Sequence, residues 1–442
     1  MILPDKKYFR TILRIALPAI AGLSTQMVLS LVDAAMVGRL DNPEYTLAAM
    51  GIGVLATWAV VSFFSSLATG THVLTANSFG EQNFKHIGKV LQNSIYVGFF
   101  IGMIVTWLGI FFSEPFAQLF AKDANVGRLA GEFIYFRLLG LPLFLITVSY
   151  RGFFFGIGNT KIFMISGILT NLLNIIFNYI LIYGEFGLPA MGVAGSGLGS
   201  TLATLFDASF YFFFSLKSAY RIKYFLYRRF NFSLKVIRSL YKISLPVSFQ
   251  NIFILIGFLS FISITGLIGL REQAASQAIV SVLFISFLPC FGFGIAAQTL
   301  VGNSIGAAND ILAKKYAIET AKIATLYTLS LSIIYVFLPK YLLNLITNEQ
   351  PIIATAVPAM RIAGIAQIFY GIGVVLANTL QASGKSMFVM FAEVVANILI
   401  FVPVAYILGV YFHFGIVGAW VGLPIYIVIY ASIVFIKFRF GK

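Results

Sequence analysis

Asn77-Ser78-Phe79-Gly80 recurs as Asn303-Ser304-Ile305-Gly306, an offset of 226 residues. The same offset joins Lys89 to Lys315, Gly158 to Gly384, Met164 to Met390 and Asn171 to Asn397, so one register holds across widely separated stretches. With small gaps, Leu17-Pro18 faces Leu245-Pro246 and Phe186-Gly187 faces Phe414-Gly415. The chain is two copies of one unit. In a very apolar chain such a duplication suggests a transporter, because internal repeats are a common way to build a binding site at the bilayer midplane between two halves.

Composition places the chain in a membrane. It is 60% hydrophobic and 10% charged, with 46 Phe and a mean hydropathy of +0.94, too apolar to keep a water-facing surface. About 20 apolar residues suffice to cross the hydrocarbon layer. Twelve such spans are expected, at 12–37, 47–76, 90–112, 132–155, 163–183, 193–216, 244–270, 275–301, 317–338, 354–379, 388–410 and 416–436. The first follows Lys6, Lys7, Arg10 and Arg14 but is too long for a signal h-region, so it is expected to be retained, with Met1 starting the mature chain.

With both termini inside, the inner loops and ends collect 23 of the 30 Lys and Arg. The outer side keeps Arg39, Lys122, Arg128, Arg137, Arg271, Lys340 and Arg361, an asymmetry that follows the positive-inside rule. The largest basic cluster, Lys217 to Lys242, joins the halves and reads as a surface helix plus linker resting on anionic headgroups. The net charge of +15 thus needs no nucleic acid or other acidic partner.

Cys290 is the only cysteine, which excludes intramolecular disulfides and thiolate metal sites. No His-Glu helix motif, phosphate loop or Gly-x-Ser-x-Gly elbow is present, and Gly156-Ile157-Gly158 has no strand before it. No cofactor or metal is expected, and the energy for transport must come from an ion gradient or from a partner protein.

Three acids fall well inside spans: Asp33, Asp207 and Glu393. A charge near the bilayer centre costs about 2.5 to 3.5 kcal/mol on insertion scales, so such residues usually face a cavity and bind something. Asp33 sits among Leu29, Leu31, Val32, Ala34, Ala35 and Val37, with no Lys or Arg at similar depth in the spans, and a carboxyl there can exchange a proton. Asn171, Asn174 and Asn178, spaced i, i+3 and i+7, put three amides on one face of the fifth helix. They could serve Asp33 or simply knit helices together. Glu393 and Asn397 stand i and i+4 on the eleventh helix, and the repeat position of Glu393 is Gly167, so this acid belongs to one lobe alone. Cavity function and a buried hydrogen-bonded pair both fit it. Asp207, ten residues before Lys217, reads as part of a local ion pair or hydrated vestibule, and His72 as a packed residue.

At these residues a family resemblance becomes specific. Leu31-Val32-Asp33-Ala34-Ala35-Met36-Val37-Gly38-Arg39-Leu40 resembles the first-helix signature of the multidrug and toxic compound extrusion (MATE) family, and looks closest to its DinF branch. Ala297-Gln298-Thr299-Leu300-Val301-Gly302-Asn303-Ser304-Ile305-Gly306-Ala307, Ala275-Ser276-Gln277, and Gly192-Val193-Ala194-Gly195 after Pro189 match further, from about residue 12 to 430. The resemblance implies two six-helix lobes around a central cavity and export of amphipathic, often cationic compounds against entering protons or sodium ions. Asp33 matches the family's coupling aspartate and Asn174 its fifth-helix asparagine. Asn178 stands where the DinF branch often has a second aspartate. A sixth-helix hydroxyl is expected at Ser200 or Thr201. Where other branches carry acids on the seventh and tenth helices, this chain has Ile254 and Tyr370.

The expected fold is therefore an all-α integral membrane protein. Its twelve transmembrane helices form two six-helix repeats with pseudo-two-fold symmetry about the membrane normal. Residues 1–216 and 244–442 are the lobes and 217–243 a basic cytoplasmic linker. The expected function is secondary antiport of organic compounds against protons, with sodium as the alternative, by a monomer in the plasma membrane with both termini cytoplasmic. Asp33, Asn174 and Asn178 are the candidate coupling residues. Asn171, Ser200, Thr201, Glu393, Asn397 and Tyr370 are candidates for the substrate cavity. The partners are a small organic substrate, protons or Na+, and membrane lipid. Two other classes stay open: a flippase for a lipid-linked or anionic precursor, which should carry intramembrane Arg or Lys, and a membrane enzyme, which should carry clustered His or acids.

Overall fold

The computed structural model describes residues 4–228 and 231–441. Among them every regular element is helical. The elements before residue 234 are α1 (Lys6–Val37), α2 (Pro43–Ser65), α3 (Leu67–Gly80), α4 (Phe84–Phe120), α5 (Ala124–Leu139), α6 (Leu141–Gly156), α7 (Lys161–Tyr183), α8 (Gly192–Ser215) and the single turn α9 (Ser218–Arg221). After it come α10 (Leu234–Ile268), α11 (Leu270–Gly306), α12 (Asp310–Phe337), α13 (Pro339–Asn344), α14 (Gln350–Ala382), α15 (Ser386–Glu393), α16 (Val402–Tyr406) and α17 (Gly415–Phe440). Among the described residues nine helical stretches are long and apolar enough to cross a membrane. The pair α5 and α6, bent by 48° at Gly140, makes a tenth. With α1 and α8, of 32 and 24 residues, the rods correspond one for one to the twelve expected spans.

The duplication is visible in backbone detail. Asn83 and Asn309, 226 residues apart, each cap a helix, the first accepting from the His86 N–H and the second from the Leu312 N–H. The residue before each cap, Gln82 or Ala308, lies in the left-handed region. So do Gly158 and Gly384, where glycine relieves the strain that a Cβ would bring. Besides the bent α5–α6 pair, two rods depart from simple spans. The second is interrupted for one residue at Ser66, and the eleventh widens to π-helical bonding over Val394–Phe401 and Ile407–Tyr411. Such widening is rare and often marks a functional stretch.

The contacts divide the chain into two compact units. One comprises Ala21–Ser248. Its core gathers Val37, Ala49, Phe133, Ile134, Leu138 and Leu145, continued by an aromatic cluster of Tyr150, Phe153, Phe154, Tyr211 and Tyr224. The stretch 217–243 is anchored to this unit. Tyr224 and Leu226 are buried, and the Asn93 amide donates to the Asn231 carbonyl at 2.7 Å while accepting from the Ser233 N–H at 2.8 Å. Lys217, Arg221, Lys223, Arg228, Lys235, Arg238 and Lys242 remain exposed.

The other unit comprises Met1–Ile20 and Phe249–Lys442. Ile12, Ile15 and Ala16 of α1 are buried with Phe293, Ala296, Ala297 and Ala324. The Asp5 N–H donates to Glu319 at 2.8 Å, and Glu319 also pairs with Lys322 at 2.7 Å. Phe261, Phe401 and Trp420 pack at the centre, and the Trp420 indole N–H donates to Ser276 at 3.0 Å. Pro18 and Pro246 lie inside α1 and α10 two residues before the chain passes from one unit to the other.

Candidate functional site

In the unit Ala21–Ser248 the amide stripe of α7 meets α1 on one side and α8 on the other. Asn178 donates through Nδ2 to Asp33 Oδ1 at 2.8 Å and to Asn174 Oδ1 at 3.0 Å. Asn174 in turn donates to Ser200 Oγ at 3.1 Å. One turn back along α7, Asn171 donates to Thr25 Oγ1 at 2.8 Å. Asp33 is half-buried, while Asn174 and Asn178 are buried. The close approach of α7 and α8 depends on Gly199, because a Cβ there would collide with Asn178 Oδ1. That oxygen, buried and turned to Gly199, has no hydrogen-bond partner.

Several expectations are sharpened. Of the two hydroxyl candidates, Ser200 joins the Asp33 chain, whereas Thr201 donates to the Phe136 carbonyl of α5 at 2.7 Å and lies outside it. Asn171 reaches Thr25 rather than Asp33, a link that no spacing within α7 could announce. The expectation that no basic residue stands near Asp33 does not hold, because Arg137 of α5 lies close enough for its charge to act on the carboxyl. Arg137 stands five residues inside the fourth expected span (132–155) and Asp33 four residues before the end of the first (12–37), so the two lie at similar depth where those ends face outward.

Asp207 forms the ion pair anticipated for it. Arg151 Nη2 stands 2.9 Å from Asp207 Oδ2, and Ser166 donates to Asp207 Oδ1 at 2.7 Å. The Arg151 side chain is 17% exposed, so a basic residue is half-buried in a span, and its charge is met within the unit.

In the unit that contains residues 249–442, Glu393 is 2% exposed. Its Oε1 accepts from the Tyr426 hydroxyl at 2.7 Å and from Asn397 Nδ2 at 3.3 Å. Tyr430 and Gln250 also face the carboxyl. Gln250 Nε2 donates to the Tyr430 hydroxyl at 3.4 Å, Gln381 Nε2 to Gln250 Oε1 at 3.2 Å, and Gln298 Nε2 to Gln381 Oε1 at 3.4 Å. Gly257 lets Asn397 approach α10 as Gly199 lets Asn178 approach α8. Tyr370 is half-buried, its ring 4.8 Å from that of Phe287. Sequence reading found Glu393 and Asn397 but not the glutamines and tyrosines around them. Gln250 and Gln298 within expected spans, and Gln381 two residues beyond one, were the available signal, since a polar side chain in a helix bundle seeks a partner.

Comparison with known proteins places this geometry in a family. The MatE family model matches residues 18–180 and again 246–407. A probable multidrug resistance protein NorM of Thermotoga maritima is 25% identical over 447 residues, covering 98% of this chain and 92% of that protein. The mouse (Mus musculus) multidrug and toxin extrusion protein 1 is 22% identical over 426 residues, covering 94% of this chain and 72% of its own length. Among solved structures, MATE in the straight conformation aligns with a TM-score of 0.90 at 20% identity, covering 97% of this chain and 95% of that one.

Proposed function

The chain belongs to the MatE family of multi-pass membrane transporters and is an extrusion antiporter rather than an enzyme; on that premise we propose that it exports amphipathic, often cationic organic compounds in exchange for protons. The proton enters at Asp33, with Asn178 and Asn174 as its supports. The observation that carries this reading is the orientation of Asn178. It turns its Nδ2 donor to the carboxylate and its oxygen to Gly199, so it offers no oxygen to a cation beside Asp33. A site of one carboxylate and an amide donor suits a proton better than sodium, which is held by several oxygens. This supports a DinF-like chain in which the second carboxylate of that branch has become an amide.

Taking up a proton removes the negative charge on Asp33, weakens its bond to Asn178 and lets α1 repack. Alternating access then needs only that the protonated and substrate-bound forms favour opposite-facing states, since a ligand shifts an equilibrium by its differential affinity. Asn171, Ser200 and Tyr370 remain candidates for substrate contact. The basic residues favour a plasma-membrane protein with both termini cytoplasmic and Lys217 to Lys242 on anionic lipid. A flippase for anionic precursors would need a free base in a span, whereas Arg151 is taken by Asp207 and Arg137 stands beside Asp33.

The test is efflux of a cationic dye from reconstituted vesicles under a pH gradient and, separately, a sodium gradient. The pH gradient alone should drive it. Efflux driven only by sodium overturns the reading.

A further inference from the structure

The two repeats treat a buried acid in opposite ways. Around Asp207 the cluster holds Arg151 as its counter-charge and Ser166 as donor. At the repeat offset of 226, the position of Arg151 is Ala377 and that of Ser166 is Ala392. Ala377 and Ala392 pack in one apolar cluster with Tyr430. One residue further along stands Glu393, with no ion-pair partner among the described residues. Where one repeat has a base the other has a methyl group, and its acid stands at a position that is Gly167 in the first repeat.

Neutral groups surround that carboxyl on every side. α17 presents the Tyr426 and Tyr430 hydroxyls, α10 the Gln250 amide, and its own rod Asn397. Tyr370 of α14 lies within electrostatic reach of it and of the Cys290 thiol of α11. Among the described residues no second carboxylate, lysine or arginine acts on Glu393. A cation site would turn oxygens inward. Here hydrogen-bond donors point inward instead, from Gln298 through Gln381, Gln250 and Tyr430 toward the acid. The ionised carboxyl is thus held by neutral donors without a counter-charge, and a protonated carboxyl could turn the same contacts round by donating in its turn.

We propose that Glu393 is a second proton-binding site, in the unit that lacks Asp33, and that its protonation reverses the hydrogen-bond chain running through Tyr430, Gln250, Gln381 and Gln298. A protonated carboxyl becomes a donor. The Tyr430 oxygen then accepts from it, Tyr430 donates to the Gln250 carbonyl, and each glutamine amide in turn must rotate. One proton is in this way felt on α10, α11, α14 and α17. The site stands apart from the Asp33 reading, since it shares no residue with it.

Infrared difference spectra of the purified protein in lipid, between mildly alkaline and mildly acidic buffer, read protonated carboxyl groups directly. Wild type should gain a carboxyl band that Asp33→Asn keeps and Glu393→Gln loses. Tyr426→Phe, which keeps the ring packing and removes one donor, should keep that band with a displaced midpoint. A Glu393→Gln spectrum superimposable on wild type, or an unmoved midpoint in Tyr426→Phe, overturns the proposal. Loss of a different band in Asp33→Asn bears on Asp33 alone.

Discussion

Asn178 donates to Asp33 and to Asn174 from the same nitrogen, at 2.8 and 3.0 Å, so the acid of α1 is tied to α8 through two amides and Ser200. Both protons of one amide are committed. Any change in the charge of Asp33 must be answered by Asn178, and through it by the α7–α8 pair.

Asp33→Asn keeps an oxygen to accept from Asn178 but can no longer take a proton. Gradient-driven efflux in proteoliposomes should fall to the level of empty vesicles while the purified variant melts within a few degrees of wild type. Undiminished efflux would remove Asp33 from the mechanism.

Asn174→Ala and Asn178→Ala each break the chain at one link. Each should displace the pH dependence of transport, and unchanged profiles in both would leave the stripe as helix-to-helix bonding. Asn178→Asp places a second carboxylate beside the first and should make efflux sensitive to a sodium gradient.

Gly199→Ala drives a methyl group into Asn178 Oδ1 and against the Asn178 backbone N at 3.0 Å. Overpacking of this kind costs about 1 to 3 kcal/mol. The variant should melt earlier in detergent and show the same displaced pH profile as Asn178→Ala. Wild-type values on both counts would mean that α7 and α8 can separate freely.

Arg151→Ala leaves Asp207, its side chain 3% exposed, without its counter-charge. Breaking a buried pair costs about 3 to 5 kcal/mol. Thermal unfolding in detergent should show a large loss, and Arg151→Met combined with Asp207→Leu should recover much of it. Equal melting of Arg151→Ala and wild type would show that the pair contributes nothing.

The sequence by itself determined the repeat, the membrane setting and the spans. An offset of 226 and runs of about 20 apolar residues are one-dimensional signals, and each helix satisfies its own backbone wherever it lies. It also singled out Asp33, Asn174 and Asn178, since a 3.6-residue period puts the amides on one face. Only the tertiary structure decided what that face meets. Ser200 and Thr201 are neighbours along the chain, yet successive helical positions point in different directions, so one reaches Asn174 and the other Phe136. Arg151 finds Asp207 across 56 residues, and Tyr426 finds Glu393 across 33. Such pairings depend on which helices lie side by side and at what height, and in α7 against α8 that contact is permitted by the missing side chain of Gly199.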